Sequence, residues 1–209
     1  DMWKLTSEWF LSRGIDAENS PMEIACFAHA VNGGMKIDPT ARTSVPGLYA
    51  AGEAAAGAHG ADRLGGNMLV NCVVFGRIAG EQAAREVLAW PRVQPAAYEP
   101  LKTAGTGRPA GELMDEIKAH MLNDMLVIRS EEKCVHMLSR LDRIRQEAEN
   151  ASFAGMDAWA PYCLRNMLIT ARMMVKAAQA RRESRGSHYR EDFPAEDAAY
   201  AKPYVIWRR

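Results

Sequence analysis

The chain has 209 residues, 48% hydrophobic and 25% charged, a composition suited to one large globular domain or two small ones. Lysine plus arginine and aspartate plus glutamate both number 26, so the charge balance favours neither nucleic acid nor an anionic membrane as partner, and any anion site must be local. No apolar run approaches the roughly 20 residues that span a bilayer, and "DMWKLTSEWF" lacks the basic-then-apolar pattern of a signal peptide.

The opening residues already read as the interior of a helix, which leads us to expect part of a longer polypeptide. Residues Trp3 to Arg13 are expected to be helical and closed by Gly14, a residue that accepts the left-handed conformation at helix ends. Within "MEIACFAHAVNGGMKID" (22–38), "NGG" is a turn signal between two short extended stretches and predicts a hairpin. "PTARTSVPG" reads as a loop, and "LYAAGE" as a short buried strand whose small residues permit close backbone approach.

A loop follows from Ala54 to Gly66, and residues Met68 to Trp90 then predict a long helix with Asn67 as its N-terminal cap. Gly76, Ala79, Gly80 and Ala83 share one face, which suits close packing on a sheet. "WPRVQPAAYEP" and "TAGTGRPAG" mark a linker. Beyond it, a less regular helix spans Leu113 to Ile128. Cys134, Met137, Leu138, Leu141, Ile144 and Ala148 form one apolar stripe, and Leu164, Met167, Leu168, Ala171, Met174, Val175 and Ala178 form another. These segments predict a three-helix antiparallel bundle, followed by the polar "ESRGSHYREDFP" and an extended tail from Ala195 to Arg209.

Cys26, Cys72, Cys134 and Cys163 are far apart and form no CxxC pair, so free thiols in a reducing, cytoplasmic compartment are expected, and neither a disulfide framework nor a metal site. His188 has no second ligand at metal-binding spacing. Arg181, Arg182, Arg185 and Arg190 read first as a solvated face or as partners of Glu183, Glu191 and Asp192.

The chemistry points to Leu48–Leu69: strand, Gly52-Glu53, small-residue loop, Arg63, Gly-Gly-Asn, helix. A helix N-terminus offers unpaired N–H groups and partial positive charge to an electron-rich group. Gly65 and Gly66 admit a flat ligand, Glu53 suits the hydroxyls of a sugar or ribityl chain, and the Arg63 fork suits a carboxylate. Singly, each has a plainer reading: Glu53 as a loop carboxylate, Arg63 as solvated or paired with Asp62, His29 as a structural histidine. Their joint occurrence in this order favours the functional one.

"HAVNGGMKID", "VPGLYAAGEAAAGAHGADRLGGNML", "VVFGRIAG" and "ARRESRGSHYREDFP" resemble the C-terminal part of the flavoprotein subunits of succinate dehydrogenase and fumarate reductase, a family that also includes L-aspartate oxidase. The resemblance implies an α/β plus all-α fold: residues 1–20 end a capping domain, 21–91 form the C-terminal segment of an FAD-binding domain, 92–111 a linker, and 112–209 a helical C-terminal domain with tail.

It further implies that His29 and Arg63 bind a dicarboxylate's carboxylate beside the flavin. Gly52 and Glu53 would bind the FAD chain, and Asn67, Met68 and Leu69 would face the pyrimidine edge of its isoalloxazine ring. The implied activity is hydride transfer at flavin N5 between a dicarboxylate pair such as succinate and fumarate. L-Aspartate or another acid as substrate is the first alternative, and a noncatalytic assembly module the second.

Two positions depart from the family text: Asn32 stands where methionine is common, and Met68 where serine is usual. The chain contains no GxGxxG, and the family's proton-donating arginine belongs to the capping domain, so this chain alone is expected to be inactive. An iron–sulfur subunit is the implied electron-transfer partner, through which the protein would reach the cytoplasmic face of a membrane.

Overall fold

A computed structural model describes residues 2–24, 28–90, 101 and 105–202. Helix α1 (Met2–Leu11) ends in turns through Gly14, and the Arg13 guanidinium lies 3.7 Å over the Trp9 ring.

The "NGG" segment forms no hairpin among the described residues. Strand β1 (Met35–Lys36) pairs in parallel with β2 (Ala55–Ala56), Met35 opposite Ala55 and Lys36 opposite Ala56. Met22–Ile24 is not a strand, and residues 25–27 of the expected first arm lie outside the described residues. The glycines serve close approach rather than reversal: a Cβ on Gly34 would collide with the Ala54 carbonyl oxygen.

"LYAAGE" likewise departs from its expected strand. Tyr49 makes only an isolated antiparallel bridge to Arg42, and the chain then enters a 3₁₀ turn, Gly52–Ala54. Gly52 adopts φ 65° with its α-carbon facing Cys72, whose Sγ would lie 2.7 Å from a Cβ placed there. Extended backbone cannot pass through that conformation, so the strand begins only at Ala55.

Helix α2 (Asn67–Val87) ends three residues earlier than expected. It packs on the 52–54 turn, and among the described residues nothing lies within 4 Å of a Cβ on Gly76 or Gly80, so no described sheet covers its small-residue face. The loop before β2 is anchored to its far end through Glu86, which pairs with Arg42 and accepts from Tyr49 Oη at 2.5 Å. Leu69, Val70, Val73 and Val74 remain exposed. The expected linker falls largely outside the described residues.

The core sits in the C-terminal half. Helices α3 (Ala110–His120), α4 (Glu131–Ala148) and α5 (Ala160–Ala180) pack on one another around Leu113, Ile117, Cys134, Met137, Leu141, Ile144, Leu164, Ala171 and Val175. These are the residues that three-and-four spacing puts on one face. α3 is shorter than the sequence suggests because it widens into a π turn, Met121–Met125, before strand β3 (Ile128–Arg129).

Ser130 caps α4, its Oγ accepting from the Lys133 N–H at 3.3 Å. Ser130→Ala is expected to lower the unfolding free energy by about 1 kcal/mol, measured as a shifted urea midpoint at constant m-value; no shift would mean that solvent replaces the cap.

The polar segment after α5 is a solvated face only in part: Arg182 is exposed, whereas the expected pairings of Arg181 and Arg185 with Glu183 and of Arg190 with Asp192 are formed. Strand β4 (Tyr189–Arg190) pairs in parallel with β3, and Glu183 and Arg190 are both fully buried. Glu183 accepts from Arg185, from Arg181 and from the Asp197 N–H. Arg190 donates to Asp192 and to the carbonyls of Ala178 and Gln179, closing the end of α5, while Asp192 accepts from the Glu131 N–H at the start of α4. Glu183 and Arg190 are buried because charges supplied in one short stretch satisfy both one another and two helix ends, while Arg182, Glu191 and Asp192 stay exposed. Glu191 pairs instead with Lys133. His188 lies between Arg129 and the Arg181 carbonyl, and burial pushes its pKa down. The described part of the tail is not extended throughout, since Ala198–Tyr200 form a 3₁₀ turn.

Candidate functional site

The candidate site occupies the junction of three loops. The loop from Gly57 to Gly66 joins β2 to α2, the loop from Ala28 to Gly34 precedes β1, and Gly186–Ser187 arrives from the C-terminal half. β1–β2 pairing brings the first two together, because its register sets "HAVNGG" beside the Gly52–Ala54 turn. Glu53 Oε1 then accepts from the Val31 N–H at 2.8 Å. One Glu53 oxygen thus shapes the loop. The side chain is exposed.

Arg63 is half-buried, and its Nε is sealed from solvent without a hydrogen-bond partner among the described residues. The expected plain pairing with Asp62 is not formed. Asp62 instead accepts from Asn32 Nδ2 at 3.4 Å, and the same amide donates to Ser187 Oγ at 3.1 Å. Burying a guanidinium donor without a partner costs free energy, so the position is one that an external acceptor would stabilise.

Immediately beyond, α2 begins. Asn67 is its first residue rather than its cap; the cap is Gly66, at φ 83°, and no side chain caps the helix. A side-chain cap at this position would compete with a ligand for the first N–H groups. Met68 is half-buried and lines a small recess with Val31, Asn32, Gly57, His59 and Gly60, whereas Asn67 and Leu69 are exposed. His29 is exposed and makes no hydrogen bond or ion pair among the described residues.

Two residues not singled out from the sequence belong to this junction. Asn71 is buried in α2, with Nδ2 2.9 Å from His59 Nε2, and its Oδ1 has no partner among the described residues. A polar residue inside the apolar run "MLVNCVVF", one turn after Asn67, is the available signal. Ser187 is the other. It lies 155 positions from Asn32, and only folding brings the two together.

Among the described residues no three His, Cys, Asp or Glu side chains are placed to hold a metal ion. No helix there is long and apolar enough to cross a membrane.

Residues 5–69 match the family described as FAD binding domain, and residues 114–209 match fumarate reductase flavoprotein C-term. The chain is 36% identical to a fumarate reductase (CoM/CoB) polypeptide of Methanothermobacter marburgensis, over 96% of this chain and 39% of that protein. It is 37% identical to an L-aspartate oxidase of Rhodospirillum rubrum, over 89% of this chain and 63% of that one. A chain of the Mycobacterium smegmatis Sdh1 complex in its apo form superposes with a TM-score of 0.83 at 33% identity, covering 94% of this chain and 36% of that one.

Proposed function

We propose that the chain, which belongs to the fumarate reductase and succinate dehydrogenase flavoprotein family, carries the carboxylate-binding part of an FAD-dependent active site that interconverts a dicarboxylate pair such as succinate and fumarate. The observation that carries this is Arg63: a sealed guanidinium Nε without a partner among the described residues, four residues before an uncapped helix N-terminus.

These residues fit the two ligands. Arg63 binds one substrate carboxylate through its planar fork, and the exposed His29 completes that subsite. The N-terminus of α2, with Asn67, Met68 and Leu69, faces the electron-rich edge of the isoalloxazine and stabilises negative charge there. Gly52 and Glu53 hold the FAD chain, the second Glu53 oxygen remaining for it. FAD, when bound, supplies the hydride acceptor and donor at N5. By gripping the carboxylate, Arg63 would orient the substrate and draw electron density from its carbon–carbon bond.

The chain spans 39% of the fumarate reductase relative's length, and α2 leaves Leu69, Val70, Val73 and Val74 uncovered. We therefore read it as the C-terminal part of a longer flavoprotein: residues 1–20 ending a capping domain, 21–91 in the FAD-binding domain, and 112–209 forming the helical domain, a three-helix bundle with tail. An iron–sulfur subunit is the proposed electron partner, and any membrane association runs through such subunits.

L-Aspartate is the second substrate to consider, because the chain is as similar to an L-aspartate oxidase, 37% identical, as to the fumarate reductase relative, 36% identical. The deciding experiment measures fumarate-dependent oxidation of a reduced dye, and L-aspartate-dependent flavin reduction, by the full-length flavin-loaded protein. Fumarate turnover with no response to L-aspartate is expected. Reduction by L-aspartate alone would transfer the assignment to amino-acid oxidation, and bound flavin with neither activity would remove the dicarboxylate reading.

A further inference from the structure

Arg63 and Asp62 are adjacent residues of opposite charge, and pairing them would be the simplest way to satisfy both. The chain does otherwise. Asp62 accepts from Asn32 Nδ2 at 3.4 Å, and Asn32 Nδ2 is itself fixed by Ser187 Oγ at 3.1 Å. Ser187 Oγ in turn donates to the Ala61 carbonyl at 3.2 Å, so three loops close a ring of hydrogen bonds around residues 61–62.

Backbone packing adds an independent constraint on the same spot. A Cβ on Gly186 would lie 2.8 Å from the Ala61 carbonyl oxygen and 2.9 Å from Asp62 Cβ, and Gly186 sits at φ 56°. The C-terminal segment therefore lies directly on the Ala61 carbonyl and Asp62 Cβ, at a separation that only glycine permits. What holds Gly186–Ser187 in place is the buried cluster on either side of it, Glu183 with Arg181 and Arg185 before, Arg190 with Asp192 after.

We propose that Asn32, fixed by Ser187, is a positioning residue that turns the Asp62 carboxylate away from Arg63 and so keeps the Arg63 guanidinium open to a ligand carboxylate. This rests on the reading of Arg63 as a carboxylate ligand given above. Asp62 adjoins that arginine in the chain, covalently tethered and of the same chemistry as the ligand, so its effective concentration at Arg63 would be high if it were free. A hydrogen bond from a neutral amide lowers that competition without adding a charge to the site. The C-terminal half thereby acts on the carboxylate subsite without touching the ligand.

The test is a double-mutant cycle in the full-length flavin-loaded protein, with fumarate as the probe and equilibrium binding and turnover both measured. Asn32→Ala should weaken fumarate binding about 10-fold, raising KM with kcat at saturation unchanged. Asp62→Asn alone should change binding by less than about 3-fold, because Asp62 is already held aside. The double variant Asn32→Ala/Asp62→Asn should recover binding to within about 3-fold of wild type. Loss of Asn32 as a mere packing contact would not be repaired by a second substitution, so recovery is the diagnostic result.

Ser187→Ala should act as Asn32→Ala does, more weakly, which guards against a folding defect at one site. In protein labelled with ¹⁵N-arginine, the Arg63 Nε–H resonance should respond to Asp62→Asn only when Asn32 is absent, a readout independent of flavin and turnover. Unchanged fumarate binding in Asn32→Ala, or a loss that Asp62→Asn does not recover, overturns the proposal. If Arg63→Ala itself leaves fumarate binding intact, the carboxylate subsite is what fails, and the two failures are separated by that one control.

Discussion

Arg63→Ala is expected to lower kcat/KM for fumarate by about 10³-fold while the flavin absorbance of the full-length protein is retained. The magnitude follows from removing a charged donor proposed to make two hydrogen bonds to a substrate carboxylate, about 4 kcal/mol for the two together. Flavin retention follows from geometry, since Gly52, Glu53 and the start of α2 are the proposed cofactor contacts and Arg63 lies in the loop between them. Arg63→Lys should recover only part of the loss, restoring charge but not the planar fork. A substituted protein that turns over fumarate at the wild-type rate would eliminate Arg63 as the carboxylate ligand. One that also loses its flavin would instead make Arg63 part of the cofactor site.

Arg190→Met should cost about 3–5 kcal/mol of stability, read from urea unfolding. Methionine keeps most of the volume, so what is lost is electrostatic and directional. Arg190 is fully buried and joins the end of α5, through the Ala178 and Gln179 carbonyls, to Asp192, which accepts from the first N–H of α4. Asp192 is exposed and can be solvated, so the magnitude is set by the Ala178 and Gln179 carbonyls, which lose their donor inside the fold at about 1–3 kcal/mol each. A variant as stable as wild type would show that solvent reaches the cluster.

The same cluster predicts the acid response. The hydrogen bond from Arg185, chief among its partners, holds the Glu183 carboxyl at about 2, below its ordinary 4.5. Arg190 holds Asp192 at about 2, below 3.8. A carboxyl whose pKa falls on folding stabilises the native state above its unfolded value, and that contribution disappears as pH drops through the folded one. Stability should therefore decline between about pH 4.5 and 2, with a smaller decline in Arg190→Met because Asp192 then titrates nearer its unfolded value. Since Gly186 and Ser187 sit between these two carboxylates in the chain, loosening the cluster should also release the contact with Ala61 and Asp62.

Helices α4 and α5 are legible in the sequence because their apolar residues recur at helical spacing, and the buried residues Cys134, Met137, Leu141 and Ile144 of α4 are those that spacing selects, while α1 and α2 are read from Gly14, Asn67 and the small-residue face. The small elements are not. Two-residue strands such as β1 and β4 carry no period of their own, and parallel pairing joins segments far apart in sequence, so "NGG" reads as a local reversal although the segment it serves lies against Ala54–Ala56. Gly52 reads as the end of a strand, but its left-handed backbone follows from contact with Cys72 of α2.

The residue types for an anion site are set locally: an arginine, a diglycine and a helix start within the eleven letters "HGADRLGGNML", since helix polarity and guanidinium chemistry need no distant partner. Whether that arginine is open to a ligand was decided only by folding. Asp62 is its neighbour in sequence, yet the hydrogen bonds that occupy Asp62 come from Asn32 and, behind it, Ser187. The charged stretch from Arg181 to Asp192 likewise reads as a solvated surface, because sequence gives charge and not burial. The interior position of Glu183 and Arg190 comes from their partners within the stretch and the two helix ends it closes, while Gly186 between them rests on the Ala61 carbonyl and Asp62 Cβ.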